Sequence, residues 1–176
     1  YIFQILLDFG LQNFNQTEIA SDNSKFRQLF PGMLSTKLVL TIAYVVLTVI
    51  VGVLLGYSDE KYFGWLIVNQ IILSLNVFLR SNISAHRLFI KDAFLSIIDK
   101  TLMIAGSLLM FIPSIHWLEL NIQNFIWIQT FSMLVASIFC IYYNLKLSDT
   151  FDWKFDPVLF KSILVRAVPF ALIYFL

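Results

Sequence analysis

The stretch Leu38-Val39-Leu40-Thr41-Ile42-Ala43-Tyr44-Val45-Val46-Leu47-Thr48-Val49-Ile50-Val51-Gly52-Val53-Leu54-Leu55-Gly56-Tyr57-Ser58 carries no charged side chain. An α-helix needs about 20 apolar residues to cross roughly 30 Å of hydrocarbon, and this run is that long. Further uncharged runs cover residues 62–79, 101–118 and 120–145. The charges stand between them. The pattern predicts an all-α integral membrane protein, a polytopic helical bundle.

Composition agrees. The chain is 59% hydrophobic and 13% charged, against about 45–50% and about 25% in soluble domains. Trp and Tyr near the predicted span ends suit the headgroup level. A net charge of +1 offers nothing to a nucleic acid. The one cysteine, Cys140, lies mid-span and has no internal partner for a disulfide. The first residue is Tyr1 and the last run is Ala171 to Leu176, both apolar, so the chain reads as an internal piece cut within a helix at each side.

The runs and their borders predict one transmembrane domain, residues 1–176, with spans at about 1–11 (truncated), 38–57, 62–79, 94–113, 125–145 and 163–176 (truncated). Pro31-Gly32 reads as a break within a polar connection. Asp156-Pro157 reads as a helix start, with Asp as cap and Pro in the first turn. Of the twelve Lys and Arg residues, all but Lys61 fall on one side of this arrangement. The positive-inside rule then makes the connections 12–37, 80–93 and 146–162 cytoplasmic, and those around Asp59 and His116 outward.

Polar residues within the spans are costly in lipid, so their faces indicate where protein or water lies. Asn69, Gln70, Ser74, Asn76, Arg80 and Ser81 share one arc of the second span. Opposite them Ile67, Ile71, Ile72, Leu75, Phe78 and Leu79 read as a lipid face. Ser96, Asp99, Lys100, Met103, Gly106 and Ser107 form a stripe on the third span, and Gln129, Met133, Ala136, Ser137, Cys140 and Asn144 one on the fourth. Such amides also serve as hydrogen-bonding glue between helices, Arg80 can snorkel to headgroups, and Asp99 and Lys100 can be a simple ion pair. Surface roles suit His86 and His116. Thr48, Gly52 and Gly56, four apart, predict close packing of the first complete span.

Some chemistry has no support in these residues. No paired carboxylates suit acid-base work, no His/Cys spacing suits a metal, and no phosphate-binding Gly-rich loop precedes a Lys and a Ser or Thr. The expectation is a protein that is not an enzyme and uses no cofactor.

Leu7-Asp8-Phe9-Gly10-Leu11 followed by Thr17-Glu18-Ile19-Ala20, then Leu79-Arg80-Ser81 with Lys91-Asp92-Ala93, Ile98-Asp99-Lys100, and Phe155-Asp156 with Ala167-Val168-Pro169-Phe170 carry a resemblance. In this order they resemble the polysaccharide flippase family, the Wzx-type branch of the multidrug/oligosaccharidyl-lipid/polysaccharide exporter superfamily. The resemblance covers nearly the whole chain. It implies part of the N-terminal lobe of a MATE-like fold, with a central cavity and alternating access. It also implies movement of undecaprenyl-diphosphate-linked oligosaccharide repeat units across the bacterial inner membrane, in O-antigen, lipopolysaccharide or other polysaccharide biosynthesis. The lipid bilayer, the lipid-linked oligosaccharide, and the polysaccharide polymerase and chain-length machinery are the partners it implies. On this mapping Arg80 and Lys100 are candidates for the diphosphate, Asn69, Asn76 and Gln129 for the cavity lining, and Asp99 for orienting Lys100 or carrying a coupling ion. A drug or cation antiporter of the same fold is the nearest alternative, and a membrane glycosyltransferase or polymerase a more distant one.

Overall fold

A computed structural model of the chain describes residues 4–22, 26–57, 61–112, 120–148 and 156–172. Among these the regular elements are all helices: α1 (Gln4–Asp8), α2 (Leu11–Ser21), α3 (Phe26–Leu54), α4 (Phe63–Ala85), α5 (Phe89–Leu109), α6 (Ile122–Ser148) and α7 (Pro157–Leu172). The outward connections at Asp59 and His116, the chain ends at 1–3 and 173–176, and Lys25, Pro113, Glu119 and 149–155 lie outside the described residues.

Three helices, α3, α4 and α6, are long and apolar enough to cross a membrane. The expected third complete span, α5, falls short of that standard because Lys91, Asp92, Asp99 and Lys100 interrupt its apolar run. Placement of side chains inverts the soluble pattern. Ile42, Val46, Val53 and Leu54 on α3, Phe94, Ile97 and Leu108 on α5, and Phe131, Ile138 and Tyr142 on α6 are exposed, while Asn15, Thr36, Lys37, Asn82 and Asn144 are buried. Apolar outside and polar inside is the arrangement that hydrocarbon favours, since an exposed apolar surface of this extent is unusual in water.

Several boundaries move. The segment 12–37 is largely helical: α2 occupies its first part and α3 begins at Phe26, passing through Pro31. Pro31 is the sixth residue of α3, past the first turn, so the helix forgoes one i to i−4 hydrogen bond there. Gly32 beside it is a packing residue, since a Cβ there would lie 2.5 Å from Leu159 Cδ2 of α7. Residue 38 therefore marks where α3 becomes exposed, with Leu38 and Val39 the first of its open apolar side chains. The expected connection 80–93 shrinks to His86, Arg87 and Leu88, because α4 runs to Ala85 and α5 starts at Phe89.

The small-residue series on α3 divides in function. Gly52 admits the ring of Phe63 from α4. Gly56 packs on nothing; it adopts φ 74° and ends the helix. Tyr57 N–H donates to Gly52 O at 2.8 Å and Gly56 N–H to Val53 O at 3.1 Å, the paired bonds of a Schellman stop. At the start of α7, Asp156 Oδ1 accepts from Val158 N–H at 2.8 Å and Pro157 takes the first position, as Asp-Pro predicts.

α4 is the central helix, touching α1, α2, α3, α5 and α6. Its expected lipid face is instead core. Phe78, Leu79 and Ile83 join Leu11, Phe14 and Ile19 of α2, Phe26, Phe30 and Met33 of α3, and Ile163 and Ala167 of α7 in one apolar cluster. A second, smaller cluster unites Leu7 of α1, Tyr44 of α3 and Ile67 of α4. α4 keeps open apolar side chains only in its first turns, at Leu66 and Val68, and the packing of its later turns is not disclosed by the alternation of its residues alone.

Candidate functional site

The stripe on α4 is divided among three neighbours. Asn69 and Asn76 face α6: Thr130 Oγ1 donates to Asn69 Oδ1 at 2.6 Å, Ser137 Oγ to Asn76 Oδ1 at 2.8 Å, and Asn76 Nδ2 to the Met133 carbonyl at 3.0 Å. One step further along, Asn82 Nδ2 donates to Asn144 Oδ1 at 2.9 Å, and Asn82 Oδ1 accepts from Asn15 Nδ2 of α2 at 2.9 Å. Asn144 in turn donates to the carbonyls of Leu79 and Cys140. The pairs 69–130, 76–137 and 82–144 ascend together, so α4 and α6 run parallel and meet at a polar rung about every two turns. Asn69 and Asn76 thus hold α6, with Asn69 Nδ2 left buried and without a hydrogen-bond partner. Gln129, next to Thr130, is half-buried.

Ser74 faces another way. Its hydroxyl oxygen accepts a 2.6 Å hydrogen bond from Lys37 Nζ, which also donates to the Leu7 carbonyl at 2.6 Å and stands 4.0 Å from Asp8 Oδ1. Lys37 is 1% exposed, and among the described residues no other charged side chain is so deeply enclosed. Phe78 places its ring 5.9 Å from the ammonium. The sequence pattern counts Lys37 among cytoplasmic connection charges; its position one residue before the exposed run of α3 conceals it, and only the packing of α1 and α4 against it reveals the burial.

The third group opens a cleft. Val77, Arg80, Ser81 and Ser84, spaced for one helical face of α4, meet Gln12 and Gln16 of α2 and Asp92 of α5 around a volume of about 210 Å³. Arg80 Nε donates to Asp92 Oδ1 at 2.7 Å, and both side chains remain partly exposed. Ser81 is buried and donates to the Phe78 carbonyl. Guanidinium, two amides and a hydroxyl converging on one space form a donor-rich setting for an anion. Gln12 and Gln16 stood in what read as a polar loop; their spacing of four was the available sign of a helical face.

Asp99 and Lys100 belong elsewhere. Lys100 Nζ contacts Asp99 Oδ2 at 3.2 Å, but the Lys100 side chain is 57% exposed. It lies eight residues beyond Asp92 on α5, roughly 12 Å along the axis, so the structure does not bring Lys100 to Arg80. Asp99 is mostly enclosed, with Oδ1 lacking a hydrogen-bond partner. Close by, Gly106 lets Ile128 of α6 approach, since an added Cβ would come within 2.6 Å of Ile128 Cγ2.

α1 and α2 are joined through Phe9 (φ 42°) and Gly10 (φ 73°), both in the left-handed region. Gly10 is required twice over, for its left-handed backbone and because a Cβ would fall 2.7 Å from the Ala167 carbonyl of α7. No group of three or more His, Cys, Asp or Glu suited to a metal occurs among the described residues. No protein-family model matches the chain, and neither curated proteins nor solved structures include a match to it.

Proposed function

We propose that this chain is part of a flippase that carries a polyprenyl-diphosphate-linked oligosaccharide across the bacterial inner membrane, and that it forms part of the N-terminal lobe of a MATE-like fold. The observation that carries the reading is the cleft around Arg80, an anion-favouring recess bounded by three helices of an otherwise apolar-surfaced protein. Its volume is below the roughly 300–1,000 Å³ of pockets that enclose whole ligands. That suits a phosphate-bearing headgroup held at one end while the sugars and the polyprenyl tail extend elsewhere. Asp92 balances Arg80 within the cleft, and a diphosphate would compete with it for the guanidinium.

Arg80→Gln keeps hydrogen-bonding capacity while removing charge, and a charge-assisted bond contributes about 1.5–3 kcal/mol. Surface polysaccharide in a flippase-deficient strain should fall about 10- to 100-fold with Arg80→Gln at equal membrane abundance. Lys100→Gln, on an exposed pair remote from the cleft, should reduce it less. Full polysaccharide with Arg80→Gln would remove the cleft from the mechanism.

A further inference from the structure

The two apolar clusters leave a polar layer between them. On α1 it falls at Asp8 and the Leu7 carbonyl, on α3 at Lys37 between Met33 and Tyr44, and on α4 at Ser74 between Ile67 and Phe78. The same layer coincides with the break at Phe9-Gly10. A carbonyl released where a helix is interrupted must find a donor inside a membrane protein, and Lys37 supplies it to Leu7.

The surroundings of the ammonium are a carbonyl oxygen and a hydroxyl oxygen at 2.6 Å, a carboxylate oxygen at 4.0 Å and an aromatic face. Carbonyl, hydroxyl and carboxylate oxygens are the donors that hard cations select. Carbonyls at helix C-terminal ends, as that of Leu7 is at the end of α1, are among the oxygens that hold sodium in membrane transporters. We propose that this is a monovalent-cation site filled by the chain's own tethered cation: Lys37 stands where sodium would otherwise bind, and its ammonium holds the α1–α2 break closed. The wild-type protein therefore needs no sodium for this contact. Removing the side chain beyond Cβ leaves the oxygens in place, and sodium becomes the species that restores the charge.

The inference rests on the transporter reading only for its purpose, because the cation is detected without any transport substrate. The test compares wild type, Lys37→Ala and Lys37→Ala/Ser74→Ala, purified from membranes into detergent. Thermal unfolding is followed in sodium, lithium, potassium and N-methylglucamine chlorides at equal ionic strength. Lys37→Ala should gain a saturable rise in midpoint with sodium that wild type lacks, and loss of the Ser74 oxygen should weaken the apparent sodium affinity at least tenfold. Equal responses of wild type and Lys37→Ala, or indifference of Lys37→Ala to every cation, would overturn it. If Lys37→Ala is too unstable for that comparison, recovery of folded protein from membranes solubilised in sodium but not in choline chloride supports the site. Aggregation in both salts counts against it. A null result here alongside a strong Arg80→Gln defect in polysaccharide would discard the cation site alone; the reverse pattern would discard the flippase reading alone.

Discussion

Gly10 shows how much one missing Cβ permits. It turns the chain between α1 and α2 and lets α2 lie against the backbone of α7 at Ala167 and Ala171. Any other residue there meets a left-handed φ, costing about 1–2 kcal/mol, and a collision with backbone that cannot rotate aside. Gly10→Ala should therefore lower unfolding stability in detergent by roughly 2–4 kcal/mol, visible as a lower midpoint and a broadened elution profile. An unchanged midpoint would mean that α7 is not seated where the structure places it. Phe9, at φ 42° without the excuse of glycine, is held in the same strained turn. The residue that answers this strain is Lys37, whose bond to the Leu7 carbonyl ties the end of α1 to α3.

Among the elements, α4 and α6 form the most extensively bonded pair. Their parallel course is imposed by connectivity, since α5 returns between them, and it is fixed in register by amides and hydroxyls at 69–130, 76–137 and 82–144. Asn76→Cys with Ser137→Cys, in a Cys140→Ser background, should cross-link efficiently with a short bis-maleimide. Asn69→Cys with Asn144→Cys should not, because those positions are separated by roughly 20 Å along the helices. Cross-linking of both pairs would indicate an antiparallel arrangement, because a register that sets 69 beside 144 also sets 76 beside 137. Both stripes were visible as spacing in the sequence. Which helix each would meet was not, because periodicity gives the angle of a face and says nothing of the neighbour occupying it. The same blindness affected α4 as a whole: Ile67, Phe78 and Leu79 look fit for lipid and are equally fit for a core.

For the whole molecule, the composition and the uncharged runs made the membrane-suited helical architecture legible, and α3, α4 and α6 meet it in length and apolarity. The start of α3 was concealed because Pro31-Gly32 mimics a turn while serving the contact with Leu159 and Ile163 of α7. Lys37 was concealed because its burial depends on α1 and α4, both distant in sequence. Arg80 could be singled out from its place at the end of an apolar run, whereas Gln12, Gln16 and Asp92 join it only through tertiary packing. The charge asymmetry supplies a test at this scale even with Lys37 set aside. In intact cells, a membrane-impermeant maleimide should label Lys61→Cys, whereas Arg87→Cys should react only after the membrane is opened; a Cys140→Ser background removes the native thiol. Labels reversed between these two sites would invert the topology.

The polar rungs between α4 and α6 have a mechanical consequence. Sliding one helix past the other by a single turn, about 5.4 Å, would strand all three rungs together, with no smaller displacement that keeps them. Their register thus acts like a toothed rack, and the pair travels as one rigid bar. A displacement of this bar against its neighbours would be taken up outside it, where the described backbone turns through positive φ between helices, at Phe9 and Gly10 before α2 and at Arg87 before α5.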